Sequence, residues 1–182
     1  MKFTQLPLSG SYLIDLEKRT DARGFFARCF CEQEFSARGL EAHWVQVNAS
    51  LSIEAGTLRG MHFQRSPHAE TKVVRCVRGS IWDVIVDVRK GSPTFGCWEG
   101  VELDEDNRRM IYIPQGFAHG FQTLRPNTEL LYFHSREYSQ SHEGGLYHGD
   151  PKLNISWPMP VSQISDADRG HPTLAEVEPI SV

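Results

Sequence analysis

The chain has 182 residues, which predicts one domain spanning 1–182 with a single sizeable core. It is 40% hydrophobic and 23% charged, the balance of a soluble globular protein, and its formal charge of −4 argues against a nucleic-acid partner. No apolar run approaches the ~18 residues of a membrane span, and Met1-Lys2-Phe3-Thr4-Gln5-Leu6-Pro7 lacks the apolar core of a signal peptide. Cys29, Cys31, Cys76 and Cys97 show no Cys-x-x-Cys spacing and read as reduced thiols of a cytoplasmic protein.

In chain order, short β-branched and aromatic runs predict strands at Tyr12–Leu16, Gly24–Phe30, His43–Ser50, Thr57–Gln64 and Thr71–Arg78. Five more follow at Ile81–Arg89, Gly96–Leu103, Met110–Ile113, Ala118–Thr123 and Glu129–His134. In the clearest of these, Trp82, Val84, Val86 and Val88 form an apolar face. Ile81, Asp83, Ile85, Asp87 and Arg89 form a mixed one, suited to a cavity or to solvent. Tight turns at Arg78-Gly79-Ser80, Lys90-Gly91-Ser92-Pro93 and Pro114-Gln115-Gly116 complete an all-β pattern, a sandwich or jelly-roll barrel. Helix is confined to Glu32–Arg38, stopped by Gly39, and to a turn starting near Ser165 in a Pro-punctuated C-terminal tail, 161–182.

Two stretches carry the chemistry. Arg59-Gly60-Met61-His62-Phe63-Gln64 and Pro114-Gln115-Gly116-Phe117-Ala118-His119-Gly120-Phe121 each set a histidine in an apolar strand. At a barrel mouth such an imidazole can move protons near neutral pH. Gly60, on the same predicted face as His62, clears space for a ligand. No second histidine lies within five residues of His62 and no Glu sits two after it, so a first-row metal site is not expected. Lys72 opens an apolar strand; turned inward, its ammonium could steady an oxyanion. Tyr132 is a wall aromatic or a general acid. Asp168, in Ser165-Asp166-Ala167-Asp168, either caps a helix or braces the His62 imidazole. Arg23 is a turn residue or a forked phosphate clamp. Arg59 and His62, three apart, fall on opposite faces of a regular strand, so contact with one ligand requires a bulge, which Gly60 permits.

Taken together these residues resemble the nucleotide-sugar 3,5-epimerase family along nearly the whole chain. The resemblance rests on Arg23-Gly24-Phe25-Phe26, Gln46-x-Asn48, Leu58-Arg59-Gly60-x-His62-Phe63-Gln64, Lys72-x-Val74-Arg75-Cys76, Asp87-x-Arg89, Pro114-x-Gly116-Phe117-Ala118-His119-Gly120-Phe121, Tyr132 and Trp157-Pro158. It implies a double-stranded β-helix, the RmlC-like cupin barrel. It also implies no metal, no cofactor and a homodimer with N-terminal strands at its interface. The substrate it implies is a nucleotide-diphospho-sugar. His62 matches the family's base, Asp168 its carboxylate partner, Tyr132 the acid on the opposite face of the sugar, and Lys72 the group that steadies the enolate. Gln46, Asn48, Arg59, His119 and Glu143 match sugar and diphosphate contacts, and Tyr138 an aromatic stacked on the base. Arg23 and Phe26 match residues that reach in from the neighbouring subunit. Two positions depart from the pattern. Arg28 stands at the nucleotide end where the family usually has Glu, and Ala167 stands where it often has Lys.

A 4-keto group acidifies the protons on C3 and C5, so one base and one acid flanking the ring suffice for epimerisation. No glycine fingerprint of a redox cofactor is present, which suits a reaction that needs none. A sugar 3,4-ketoisomerase and a non-catalytic sugar-binding barrel are the alternatives; the opposite-face Tyr132 counts against the first, and the joint presence of His62, Asp168, Tyr132 and Lys72 against the second.

Overall fold

Two facing antiparallel sheets build the molecule, and the computed structural model describes all 182 residues. One sheet has six strands in the order β1 (Lys2–Gln5), β2 (Tyr12–Asp15), β10 (Met110–Ile113), β7 (Lys72–Arg78), β12 (Thr128–His134), β5 (Gln46–Ser52). The other has five, β13 (Glu143–Gly145), β6 (Leu58–Gln64), β11 (Phe117–Thr123), β8 (Ser80–Asp87), β9 (Trp98–Asp104). A separate hairpin pairs β3 (Arg19–Asp21) with β4 (Gly24–Phe26). This is the expected all-β jelly roll. Two small helices complete it, α1 (Glu32–Ser36) and α2 (Asp166–Arg169).

The principal core lies between the sheets. Val74, Cys76, Ile111 and Leu130 of the first meet Ile81, Ile85, Phe117 and Phe121 of the second. Burying such side chains stabilises by roughly 1.5–3 kcal/mol each. A second core covers the outer face of the five-stranded sheet, where Val84, Val86 and Val88 pack under Leu153, Val177 and Ile180. The mixed face expected on β8 is therefore not a solvent face, because both sides of the strand are covered. Its two aspartates are fully buried and held by local donors, Asp87 by Arg89, Ser92 and Thr94, and Asp83 by His119. A third cluster gathers around Phe35 of α1, with Phe3, Phe30 and Trp44 edge-on or tilted to its ring. No helix is long and apolar enough to cross a membrane.

Ten predicted strands correspond to observed ones with shifts at their ends; β1, β3 and β13 are additional. Arg19-Thr20-Asp21 is wholly polar and exposed, so no apolar alternation marks it as a strand. Glu143-Gly144-Gly145 looks like a loop. Its glycines are there because a Cβ at Gly144 would meet the Phe63 ring at 2.3 Å and one at Gly145 the His171 ring at 2.2 Å.

Candidate active site

A bulge in β6 resolves the parity of Arg59 and His62. His62 pairs with His119 and Arg59 with Phe121, so three steps on β6 face two on β11. Gly60 provides the extra residue, at φ 118, a backbone that L side chains rarely adopt. A Cβ there would lie 2.6 Å from Gly120 Cα and 2.7 Å from the His119 carbonyl. The bulge also frees the Gly60 N–H from the ladder, and it donates to Asp168 Oδ2 at 2.9 Å.

Asp168 reaches this point from α2. Its backbone N–H donates to Ser165 Oγ at 3.0 Å, so the capping reading holds for the main chain, while its carboxylate serves the barrel. His62 Nε2 lies 2.8 Å from Asp168 Oδ1. Burial alone would raise the Asp168 carboxyl, but the His62 and Gly60 hydrogen bonds outweigh it and hold the group down at about 2. An ionised carboxylate only accepts, so Nε2 of His62 carries the hydrogen and the neutral ring keeps its lone pair on Nδ1.

A cavity of about 1130 Å³ opens beside this pair. From the five-stranded sheet and α2 it is lined by Arg59, His62, His119 and Asp168. From the six-stranded sheet come Lys72, Tyr132, Asn48 and Ser50. Imidazole and phenol thus belong to opposing sheets around one hollow. Tyr132 shares a 2.8 Å hydrogen bond with Ser50, and burial pushes its phenol up to about 12. Lys72 is buried against Glu70, Nζ to Oε1 3.0 Å, rather than on the surface. His119 Nε2 donates to the buried Asp83 at 2.8 Å, which orients its ring. Arg59 donates to Ser52 Oγ and the Leu51 carbonyl, each at 3.2 Å.

Six other candidates do not line the cavity of their own chain. Gln46 donates to the cavity-lining Asn48 at 3.1 Å, Tyr138 N–H donates to Gln46 at 3.3 Å, and the Tyr138 hydroxyl donates to Glu143 at 2.7 Å. These three therefore form a hydrogen-bonded chain running outward from Asn48. Arg23 bonds Asp21 on the β3–β4 hairpin, Phe26 is 72% exposed there, and Arg28 bonds Glu34 at 2.8 Å.

Sequence reasoning passed over Glu70, His134 and His171. His134 lines the cavity and lies opposite Lys72 across β12 and β7. His171 stands edge-on to His62 with ring centroids 5.6 Å apart. Its buried Nε2 has no hydrogen-bond partner and lies 3.7 Å from Asp168 Oδ1. More than a hundred residues separate His171 from His62, and only the fold joins them. The Glu70-x-Lys72 spacing, opposite charges two apart near a strand start, was the one local signal for the second pair.

A carboxylate-braced imidazole facing a phenol across a barrel is the constellation of an acid–base isomerase acting on an activated C–H bond. Comparison with known proteins specifies the class. A family model described as dTDP-4-dehydrorhamnose 3,5-epimerase matches residues 5–176. A Sinorhizobium fredii protein named dTDP-4-dehydrorhamnose 3,5-epimerase is 43% identical over 182 residues, covering 100% of this chain and 93% of its own. The crystal structure of the Bacillus anthracis dTDP-4-dehydrorhamnose 3,5-epimerase, with TDP and pyrophosphate bound, superposes with TM-score 0.91 at 41% identity, over 94% of this chain and 98% of that one. That of the Legionella pneumophila dTDP-6-deoxy-D-glucose-3,5-epimerase, in complex with dTDP-4-keto-L-rhamnose, gives 0.91 at 35% identity, over 97% and 94%. The chain belongs to the dTDP-4-dehydrorhamnose 3,5-epimerase family, whose members are isomerases of nucleotide sugars.

Proposed function

We propose that the protein inverts C3 and C5 of a nucleotide-diphospho-4-keto-6-deoxyhexose of the dTDP-4-dehydro-6-deoxyglucose type. The reading is carried by one observation: His62, braced by Asp168, and Tyr132 line the same cavity from opposing sheets. His62 Nδ1 takes the proton from the carbon next to the ketone. The C–H electron pair moves into the ring and the carbonyl oxygen becomes an enolate. Lys72, which lines the cavity, steadies that oxygen with its ammonium. Tyr132, kept protonated by burial, returns a proton to the carbon from the other face, and the enolate reverts to the ketone. His62 and Tyr132 then exchange protons with solvent and reset. Asp168 stays ionised and stabilises the imidazolium.

Asn48, Arg59 and His119 are assigned to the sugar and diphosphate, because they line the cavity with polar side chains. Gln46, Tyr138 and Glu143 extend the site toward the nucleotide. Arg23, Phe26 and Arg28 are assigned to the cavity of a neighbouring subunit in a homodimer. Two features support this: none lines its own cavity, and β5, an outer strand of its sheet, exposes Val47 and Leu51. Four free thiols suit the reducing cytoplasm. The test is incubation with a dTDP-4-keto-6-deoxyhexose in deuterium oxide. Deuterium at C3 and C5, with epimerised product by NMR, is expected; no incorporation at either carbon overturns the reading.

A further inference from the structure

The proton path above leaves the acid paired with Lys72 unused. Glu70 precedes β7, its side chain is 8% exposed, and both its oxygens are occupied. Oε1 lies 3.0 Å from Lys72 Nζ, and Oε2 accepts from His134 Nδ1 at 2.8 Å. Lys72 and His134 are register partners on β7 and β12, and both line the cavity. Glu70 does not line it, so it acts from behind them. On the far side, His134 Nε2 lies 3.4 Å from Asn48 Nδ2, and its ring lies 6.2 Å from that of Tyr132 at 26°.

We propose that Glu70, clamped by His134, is a positioning residue that keeps the Lys72 ammonium charged and aimed at the enolate oxygen. The proposal rests on the epimerase reading of the site. Its physical basis is the cost of holding a cation out of water. A buried ammonium without a counter-charge gives up its proton more readily and loses its fixed direction. The other groups around Lys72 do not supply that counter-charge. Its β10 partner is Ile113, and its β12 partner is His134. On the same sheet Tyr132 is neutral, across the cavity stand Arg59, His62, His119 and Arg169, and the carboxylate of Asp168 is already committed to His62 and Gly60. Burial would raise the Glu70 carboxyl, but the Lys72 charge and the His134 hydrogen bond outweigh it, so Glu70 remains an anion in the working pH range. His134 holds the second oxygen, which fixes the rotamer that presents the first to Lys72.

The experiment measures kcat, KM and solvent-deuterium incorporation from pH 6 to 10 for the wild type, Glu70→Gln, Glu70→Asp and His134→Asn. For Glu70→Gln, kcat and the exchange rate fall together by about tenfold or more, while KM moves less than about threefold. Its alkaline limb of kcat moves to lower pH by about one unit or more. Glu70→Asp recovers part of the loss, and His134→Asn shows a smaller shift in the same direction. If Glu70→Gln and His134→Asn lower only the melting temperature and keep the wild-type kcat and pH profile, the pair is structural and the proposal is overturned. Should Glu70→Gln not fold, Glu70→Asp and His134→Asn decide by the same readouts. Absence of exchange in the wild type instead overturns the epimerase reading, a separate result.

Discussion

The Gly60 N–H and the His62 imidazole donate to the two oxygens of one carboxylate, that of Asp168, at 2.9 and 2.8 Å. The bulge that turns Arg59 and His62 to one cavity therefore also anchors the group that orients His62. Backbone geometry and acid–base chemistry meet where α2 contacts β6.

Gly60→Ala tests that coupling. The added Cβ meets the Gly120 backbone and the His119 carbonyl at under 3 Å, and the positive φ strains it further. We expect a loss of roughly 2–4 kcal/mol in urea unfolding and a kcat reduced at least about tenfold in the folded fraction. Unchanged stability and activity would show that the bulge tolerates a side chain and that this backbone is not required.

Asp168→Asn separates orientation from charge. Loss of the carboxylate should lower kcat by about 10²–10⁴ while KM changes little. The carboxyl is depressed in the folded state, so its contribution to stability is present above the unfolded value and is lost as pH falls through the folded one. The window therefore runs from about pH 4 down to about pH 2. Denaturant titrations should show a wild-type advantage of roughly 2 kcal/mol near pH 6 that shrinks across that window. A gap that stays constant with pH would contradict the ionised dyad.

Phe26→Glu probes the proposed dimer. Phe26 is 72% exposed on the β3–β4 hairpin, so in a monomer the change should cost less than about 0.5 kcal/mol. In a dimer that buries the ring it should shift sedimentation toward the monomer and raise KM for the sugar nucleotide. A wild-type protein that sediments as a monomer at all concentrations would remove the basis for assigning Arg23, Phe26 and Arg28 to a partner's cavity.

Much of this architecture can be read from the chain. Period-two alternation locates β8, and the Ser165 cap locates α2, because both signals are local. The faces of β8 are harder to read. Alternation shows which residues share a side but not what covers that side: the mixed side with Ile81 and Ile85 is buried against the six-stranded sheet, while Val177 and Ile180 of the C-terminal segment cover the apolar side with Val84 and Val86. His62, Asp168, Tyr132 and Lys72 were identifiable from residue type and motif, and the cavity brings them together. Glu70, His134 and His171 were not, because Glu70 meets His134, and His171 meets His62, only across segments far apart in sequence. β13 was hidden for a related reason: its glycines answer to Phe63 and His171, neither of which is near in sequence.

The opposing imidazole and phenol make the sharpest demand. His62 should control removal of the proton, and Tyr132 its return to the opposite face. The decisive measurement is configuration and deuterium content at C3 and C5 after incubation in deuterium oxide with the wild type, His62→Asn and Tyr132→Phe. We predict inversion with incorporation for the wild type and neither for His62→Asn. For Tyr132→Phe we predict incorporation with retained configuration, because the enolate still forms but can be reprotonated only from the His62 side. Inverted product from Tyr132→Phe at the wild-type rate, or undiminished exchange in His62→Asn, would contradict the account.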